Sequence, residues 1–179
     1  MIPAGTYRLG PGNATLLVRT RRGGAAAKAG HDLDLHVGAW EATLETGEDA
    51  DSTRLELAAD PTSLRVQSAT GGMQALGDED EANIHQTIDE EVLKRRDIRF
   101  RSTHVERDGE RLRVEGELTL AGATRPVAFD LQAGDDGALA ARAVVTQTRW
   151  GMKPYSALFG ALKVLDDVEV VFDGRLEAR

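Results

Sequence analysis

Asp32, Asp34 and His36 come nearest in this sequence to a catalytic or metal-binding set. Side chains two apart on an extended strand point the same way, so two carboxylates and an imidazole could converge on a cation or pass a proton. The same three residues also make an ordinary wet strand face. Leu33, Leu35 and Val37 alternate with them, and a solvated face needs no further cause. The wet face is the preferred reading. His31 points to the opposite side, and His85 and His104 have no neighbour at metal-ligand spacing. Gly23-Gly24 lacks the spacing of a phosphate loop, and no nucleophile-elbow pattern occurs. The chain has no cysteine, which excludes a thiolate nucleophile, a disulfide framework and Cys-based zinc or iron-sulfur sites. The expectation is a protein with no catalytic residue and no metal site, not an enzyme.

Charge narrows the partners. With 22 basic against 30 acidic residues the net charge is -8, which argues against nucleic acid and against an anionic membrane surface as the default partner. The basic cluster Lys94, Arg95, Arg96, Arg99 and Arg101 directly follows the acidic run from Asp78 to Glu91, so pairing within the chain, or a plain solvated surface, accounts for the cluster ahead of nucleic-acid binding. No stretch approaches the ~20 apolar residues of a spanning helix, and the first residues form no apolar signal region. These features lead to the expectation of a cytoplasmic protein with no integral membrane segment.

The elements that must position any site are strands. Arg111 to Leu120 puts Leu112, Val114, Gly116, Leu118 and Leu120 on one face and charged residues on the other, as a half-buried strand requires. After a turn at Ala121 to Thr124, Val127, Phe129 and Leu131 repeat the pattern. The cluster Gly134-Asp135-Asp136-Gly137 marks the next turn, followed by strands expected over Leu139 to Trp150 and Leu165 to Leu176. Earlier strands are expected at Thr6 to Leu9, Ala14 to Thr20, Leu33 to Leu44, Arg54 to Ala59, Leu64 to Gln67 and Ile98 to Ser102. Trp40 falls on the wet face of the Leu33 to Leu44 alternation. One helix is expected over Thr87 to Arg95, with Asp89, Glu90 and Glu91 in its first turn. Gly151 to Val164 reads as a long loop. Residues 1–179 then make one all-β domain of 19.3 kDa with one short helix, either a closed barrel or a two-sheet sandwich.

The interior is the remaining place for function. Trp150, Met152, Phe159 and Phe172 either fill the core or line a pocket for an apolar ligand. With eight aromatics and 25 alanines, a barrel of this length falls short of ordinary packing density if its alanines face inward.

The block Glu117-Leu118-Thr119-Leu120-Ala121-Gly122-Ala123-Thr124-Arg125-Pro126-Val127 resembles the signature G-x-L-T-l-x-G-x-T-[KR]-P-V of the YceI-like family, lipocalin-like barrels also described as polyisoprenoid-binding proteins. Gly30-His31-Asp32, Ile98-Arg99-Phe100-Arg101-Ser102 and Thr148-Arg149-Trp150-Gly151-Met152 are similar to further elements of that family. The resemblance implies a single antiparallel eight-stranded barrel enclosing an isoprenoid or similar lipid. Carried over by position, Leu118, Leu120, Val127, Phe129 and Leu131 would face the lumen, which agrees with the alternation read above. Trp150 stands where the family usually has Phe, so a larger ring would narrow or shorten the lumen. Many members are exported, whereas no secretion signal is read here.

The leading expectation is therefore non-catalytic binding or carriage of an apolar isoprenoid-type lipid. Its lumen would comprise Leu118, Leu120, Val127, Phe129, Leu131, Trp150, Met152, Phe159 and Phe172. No cofactor is expected other than a bound isoprenoid quinone or polyprenyl phosphate as the ligand itself, its headgroup near Arg149 or Lys153. The alternative is a filled barrel serving as a structural or protein-interaction module. A homodimer is compatible with the resemblance.

Overall fold

Period-two alternation along this chain folds into strands that each bury one row of side chains. The computed structural model describes residues 2–48 and 52–176. Eleven strands share one antiparallel sheet: β1 (Gly5–Leu9), β2 (Ala14–Thr20), β4 (His31–Val37), β5 (Trp40–Thr46), β6 (Arg54–Ala59), β7 (Leu64–Gly71), β8 (Ile98–Asp108), β9 (Arg111–Leu120), β10 (Ala123–Ala133), β11 (Ala138–Thr146) and β14 (Asp167–Arg175). A separate small sheet orders β12 (Ser156–Ala157), β13 (Leu162–Val164) and β3 (Arg22–Gly23). Helix α1 (Asp78–Thr87) runs on into a π turn at Ile88–Val92.

The strand order β1-β5-β6-β8-β9-β10-β11-β14-β2-β4-β7 is a ring of eight long spans. The first three spans are each bent once, between β1 and β2, β4 and β5, and β6 and β7. Each bend falls on residues that break strands: Gly10 to Asn13, Gly38-Ala39, and the Asp60-Pro61 turn whose Asp60 Oδ1 accepts from Thr62 N at 2.8 Å. The spans pair in chain order, and the last returns to the first, Val170 of β14 opposite Val18 of β2. The result is barrel-like and all-β, with the eight spans that the resemblance implies. Curling the sheet this way leaves little free edge.

Three expectations need correction. The Leu33 to Leu44 alternation is not one strand: the bend at Gly38-Ala39 reverses its parity. Trp40, Ala42 and Leu44 therefore join the core, and Trp40 meets Phe172 edge-on at 6.0 Å between centroids. The strand expected over Leu139 to Trp150 ends at Thr146, and Gln147–Trp150 is a 3-10 turn capped by Gly151 in the left-handed region. The helix lies earlier than expected, over Asp78–Thr87. Its own first turn holds Asp78, Glu79, Asp80 and Glu81, and the Asp80 carboxylate accepts from Gly77 N. The acids expected to start it form the following π turn.

One buried cluster runs from Ile2 to Leu176, with Leu44, Val114 and Trp150 the most deeply enclosed. Gly116 belongs to the inward row of β9 because the Phe100 ring lies over it. A side chain there would overlap that ring and the Arg101 carbonyl.

Candidate functional site

The inward rows do not meet in the middle. They enclose a cavity of about 670 Å³, within the ~300–1,000 Å³ span of small-molecule sites. The bends and pairings decide who lines it. β4 contributes Leu33, Leu35 and Val37, β9 contributes Leu118 and Leu120, and β10 contributes Val127, Phe129 and Leu131. β11 presents Ala141 and Ala143, and opposite them β14 presents Phe172 and Val170. Phe100 and Phe129 stack tilted at 5.4 Å. Small residues matter as much as large ones. Ala29, Ala42, Ala59, Ala141 and Ala143, five of the 25 alanines, line the cavity, and their short side chains leave volume there.

Helix α1 lies against the β7 side of the barrel. Its Asp80, Asn83, Ile84 and Thr87, with Ile88 and Val92 of the π turn, reach the cavity. His85 anchors it by accepting from Val66 N at 3.1 Å. The spacing of Asp80, Ile84 and Ile88 was the available helical signal, but the acidic composition of the segment obscured it.

Of the nine lumen residues expected from the sequence, Leu118, Leu120, Val127, Phe129, Leu131, Met152 and Phe172 line the cavity. Trp150 does not. It is 2% exposed within the buried core, where its Nε1 donates to the Leu118 carbonyl at 2.8 Å, and it takes no part in the cavity lining. Phe159 is wholly exposed, because Leu158 and Phe159 both take left-handed backbone at the tip of the β12–β13 turn and point away from the barrel.

Polar groups gather at one end, where β2 stops, β4 starts and β14 starts. Thr20, Arg22, His31, Gln147, Tyr155 and Lys163 line the cavity there. Arg22 Nη1 donates to the Gly30 carbonyl at 2.6 Å, His31 Nε2 to the Gln74 carbonyl at 2.7 Å, and Gln147 Nε2 to the Leu165 carbonyl at 3.1 Å. Thr20 Oγ1 is buried with no partner. Arg149 and Lys153, expected near a headgroup, stand outside the cavity. The Arg149 guanidinium lies 5.4 Å over the Trp150 ring. Nothing in the sequence singled out Arg22 and Lys163, since the mouth exists only once β3 pairs with β13.

In the Asp32, Asp34 and His36 set, both carboxylates are engaged structurally. Asp32 accepts from Arg22 N at 2.9 Å, and Asp34 lies 3.4 Å from Arg19. Among the described residues no group of three His, Asp or Glu side chains could hold a metal ion. Three of the five residues in the basic cluster after α1 are ion-paired within the chain, Arg95 with Glu90, Arg99 with Asp97 and Arg101 with Glu56, and of these partners only Glu90 belongs to the preceding acidic run. Among the described residues two carboxyls are held below their ordinary range, and neither lines the cavity. Asp60 owes this first to the Thr62 backbone N–H, and Asp136 first to that of Ala138, then to Arg175.

An up-and-down antiparallel barrel around an apolar cavity with one polar end is the architecture of small-ligand-binding barrels. The chain belongs to the YceI-like family: the YceI-like domain matches residues 14–176. Its fold is similar to that of BcnA from Burkholderia cenocepacia, with a TM-score of 0.64 and 14% identity over 93% of this chain and 96% of that one. It is also similar to a YceI protein of Campylobacter jejuni, with a TM-score of 0.53 and 14% identity over 78% and 82% of the two chains. Among curated proteins no sequence relative matches. No helix among the described residues is long and apolar enough to cross a membrane.

Proposed function

We propose that this protein binds and carries an apolar isoprenoid-type lipid inside its barrel, without catalysis. The observation that carries the reading is the 670 Å³ cavity with walls of Leu, Val, Ala and Phe side chains. A barrel packed solid as a structural module would leave no such volume. At ~30 Å³ per water-sized group the space suits roughly twenty non-hydrogen atoms. A ligand of that size gains about 0.3 kcal/mol per atom, so about 6 kcal/mol, or a Kd in the tens of micromolar or tighter. The polar headgroup of an isoprenoid quinone or polyprenyl phosphate would lie beside Thr20, Arg22 and Lys163.

Displacement of an apolar fluorescent probe by a series of isoprenoid quinones and polyprenyl phosphates tests the proposal. Affinity should rise with chain length up to about twenty carbons and then level off. No probe uptake, or affinity independent of chain length, would refute it.

A further inference from the structure

Of the six large hydrophobic side chains exposed among the described residues, five belong to segments around the polar end of the cavity: Met73, Tyr155, Leu158, Phe159 and Leu165. Tyr155 lines the cavity itself, Leu158 and Phe159 cap the β12–β13 turn, and Met73 directly precedes Gln74, whose carbonyl holds His31. Such clustering is not the scatter expected of ordinary surface apolar residues.

Charge follows the same boundary. Residues 20–30 and 149–165 carry Arg21, Arg22, Lys28, Arg149, Lys153 and Lys163 and not one acid, in a chain of net charge -8. These two segments are one physical unit. Val164 pairs with Arg22, Leu165 N donates to the Arg21 carbonyl, and Ala26 N donates to the Ala161 carbonyl at 2.8 Å. Gly24, at φ +90, permits that contact, since a side chain there would overlap the Ala161 carbonyl. None of the six cations is ion-paired to a carboxylate among the described residues. The nearest acids in the chain are otherwise engaged: Asp166 accepts from Thr148 N and Oγ1, and Asp167 from Thr146 Oγ1. The helix side of the mouth is acidic, with Asp78 to Glu81 in the first turn of α1.

Backbone strain marks the tip. Leu158 at φ 51 and Phe159 at φ 57 are consecutive non-glycine residues in the left-handed region, and their side chains are 59% and 113% exposed. Neither gains folded-state burial in return for that conformation.

We infer that the β3–β12–β13 lip is a docking surface for an anionic lipid bilayer, with Phe159 and Leu158 inserting between headgroups and the exposed Arg21, Lys28, Arg149 and Lys153 resting on the phosphates. The acidic helix side makes the contact one-sided, so the barrel sits tilted with its mouth against the lipid. Apolar insertion and basic attraction together are what a peripheral contact requires. The net charge had argued against such a surface, but the sum conceals the segregation. This contact is independent of what the cavity holds, and its position at the mouth would let an apolar chain pass between bilayer and barrel without crossing water.

Co-sedimentation with phosphatidylcholine–phosphatidylglycerol vesicles, against pure phosphatidylcholine, tests it. The wild-type chain should bind the anionic vesicles, weaken with added salt, and lose about fivefold in partitioning for each of Lys28→Gln and Lys153→Gln. The double variant L158G/F159G should lose about tenfold or more while melting no lower than wild type, because glycine suits the left-handed backbone. A143F, which intrudes on the cavity and leaves the lip untouched, should sediment like wild type, so that failure of cavity binding and failure of docking give separate results. No binding to anionic vesicles would overturn the inference. So would unchanged binding of L158G/F159G, or a dimer that this variant dissociates, since a second copy would then cover the patch.

Discussion

Ala143→Phe separates an unfilled barrel from a filled one. Ala143 lies on β11 opposite Val170 of β14, and both side chains face the cavity. The substitution adds six ring carbons, roughly 180 Å³ at ~30 Å³ each, about a quarter of the 670 Å³ enclosed. In a close-packed core such an addition costs about 1–3 kcal/mol. In this cavity the ring meets open volume between Val168, Val170 and Val145, and its burial contributes up to ~1.5–3 kcal/mol before ordering and imperfect fit are subtracted. A net gain of about 1 kcal/mol raises the melting temperature by about 2–4 °C in a chain of this length. The same ring displaces about six non-hydrogen atoms of ligand, worth ~2 kcal/mol or about twentyfold in Kd. Calorimetric melting and probe displacement read the two effects side by side. A variant that melts several degrees lower and binds as before would show that Ala143 does not face open space, and the reasoning would fail.

Other outcomes follow from single contacts. Trp150→Phe removes the Nε1 donor to the Leu118 carbonyl and leaves a gap beside it. Urea unfolding should show a loss of about 1–3 kcal/mol, with ligand affinity unchanged, since Trp150 is outside the cavity. Asp60→Ala should cost about 1 kcal/mol near neutral pH by uncapping the Pro61–Ser63 turn. Because the Asp60 carboxyl is held below its ordinary range, its contribution is present above about pH 4 and fades as pH falls, so wild type and variant should converge in acid melts.

The parts of the fold legible in the sequence were those with one wet and one dry face over an unbroken run. β9 and β10 qualify, and their inward residues Leu118, Leu120, Val127, Phe129 and Leu131 all reach the cavity. Alternation fails where a strand bends. At Gly38-Ala39 the parity reverses, which moved Trp40 from the expected wet face into the core. It fails again over Gly151 to Val164, expected as one long loop, where β12 and β13 are strands of two and three residues, too short to show a period. An apolar residue there can face either way, and Met152 turned in while Phe159 turned out. Helix α1 was obscured because its cavity-facing row includes Asp80, Asn83 and Thr87 as well as Ile84. The polar end depends on contacts such as that between Arg22 and Gly30, which no local spacing encodes.

Xenon-pressurised crystals test the central claim most directly, because an apolar cavity takes up xenon and a packed core does not. Xenon sites, or an elongated bound molecule in their place, are expected between the cavity-lining Leu118, Phe172, Ala143 and Leu35. An interior with neither, closed by its own side chains, would contradict that claim.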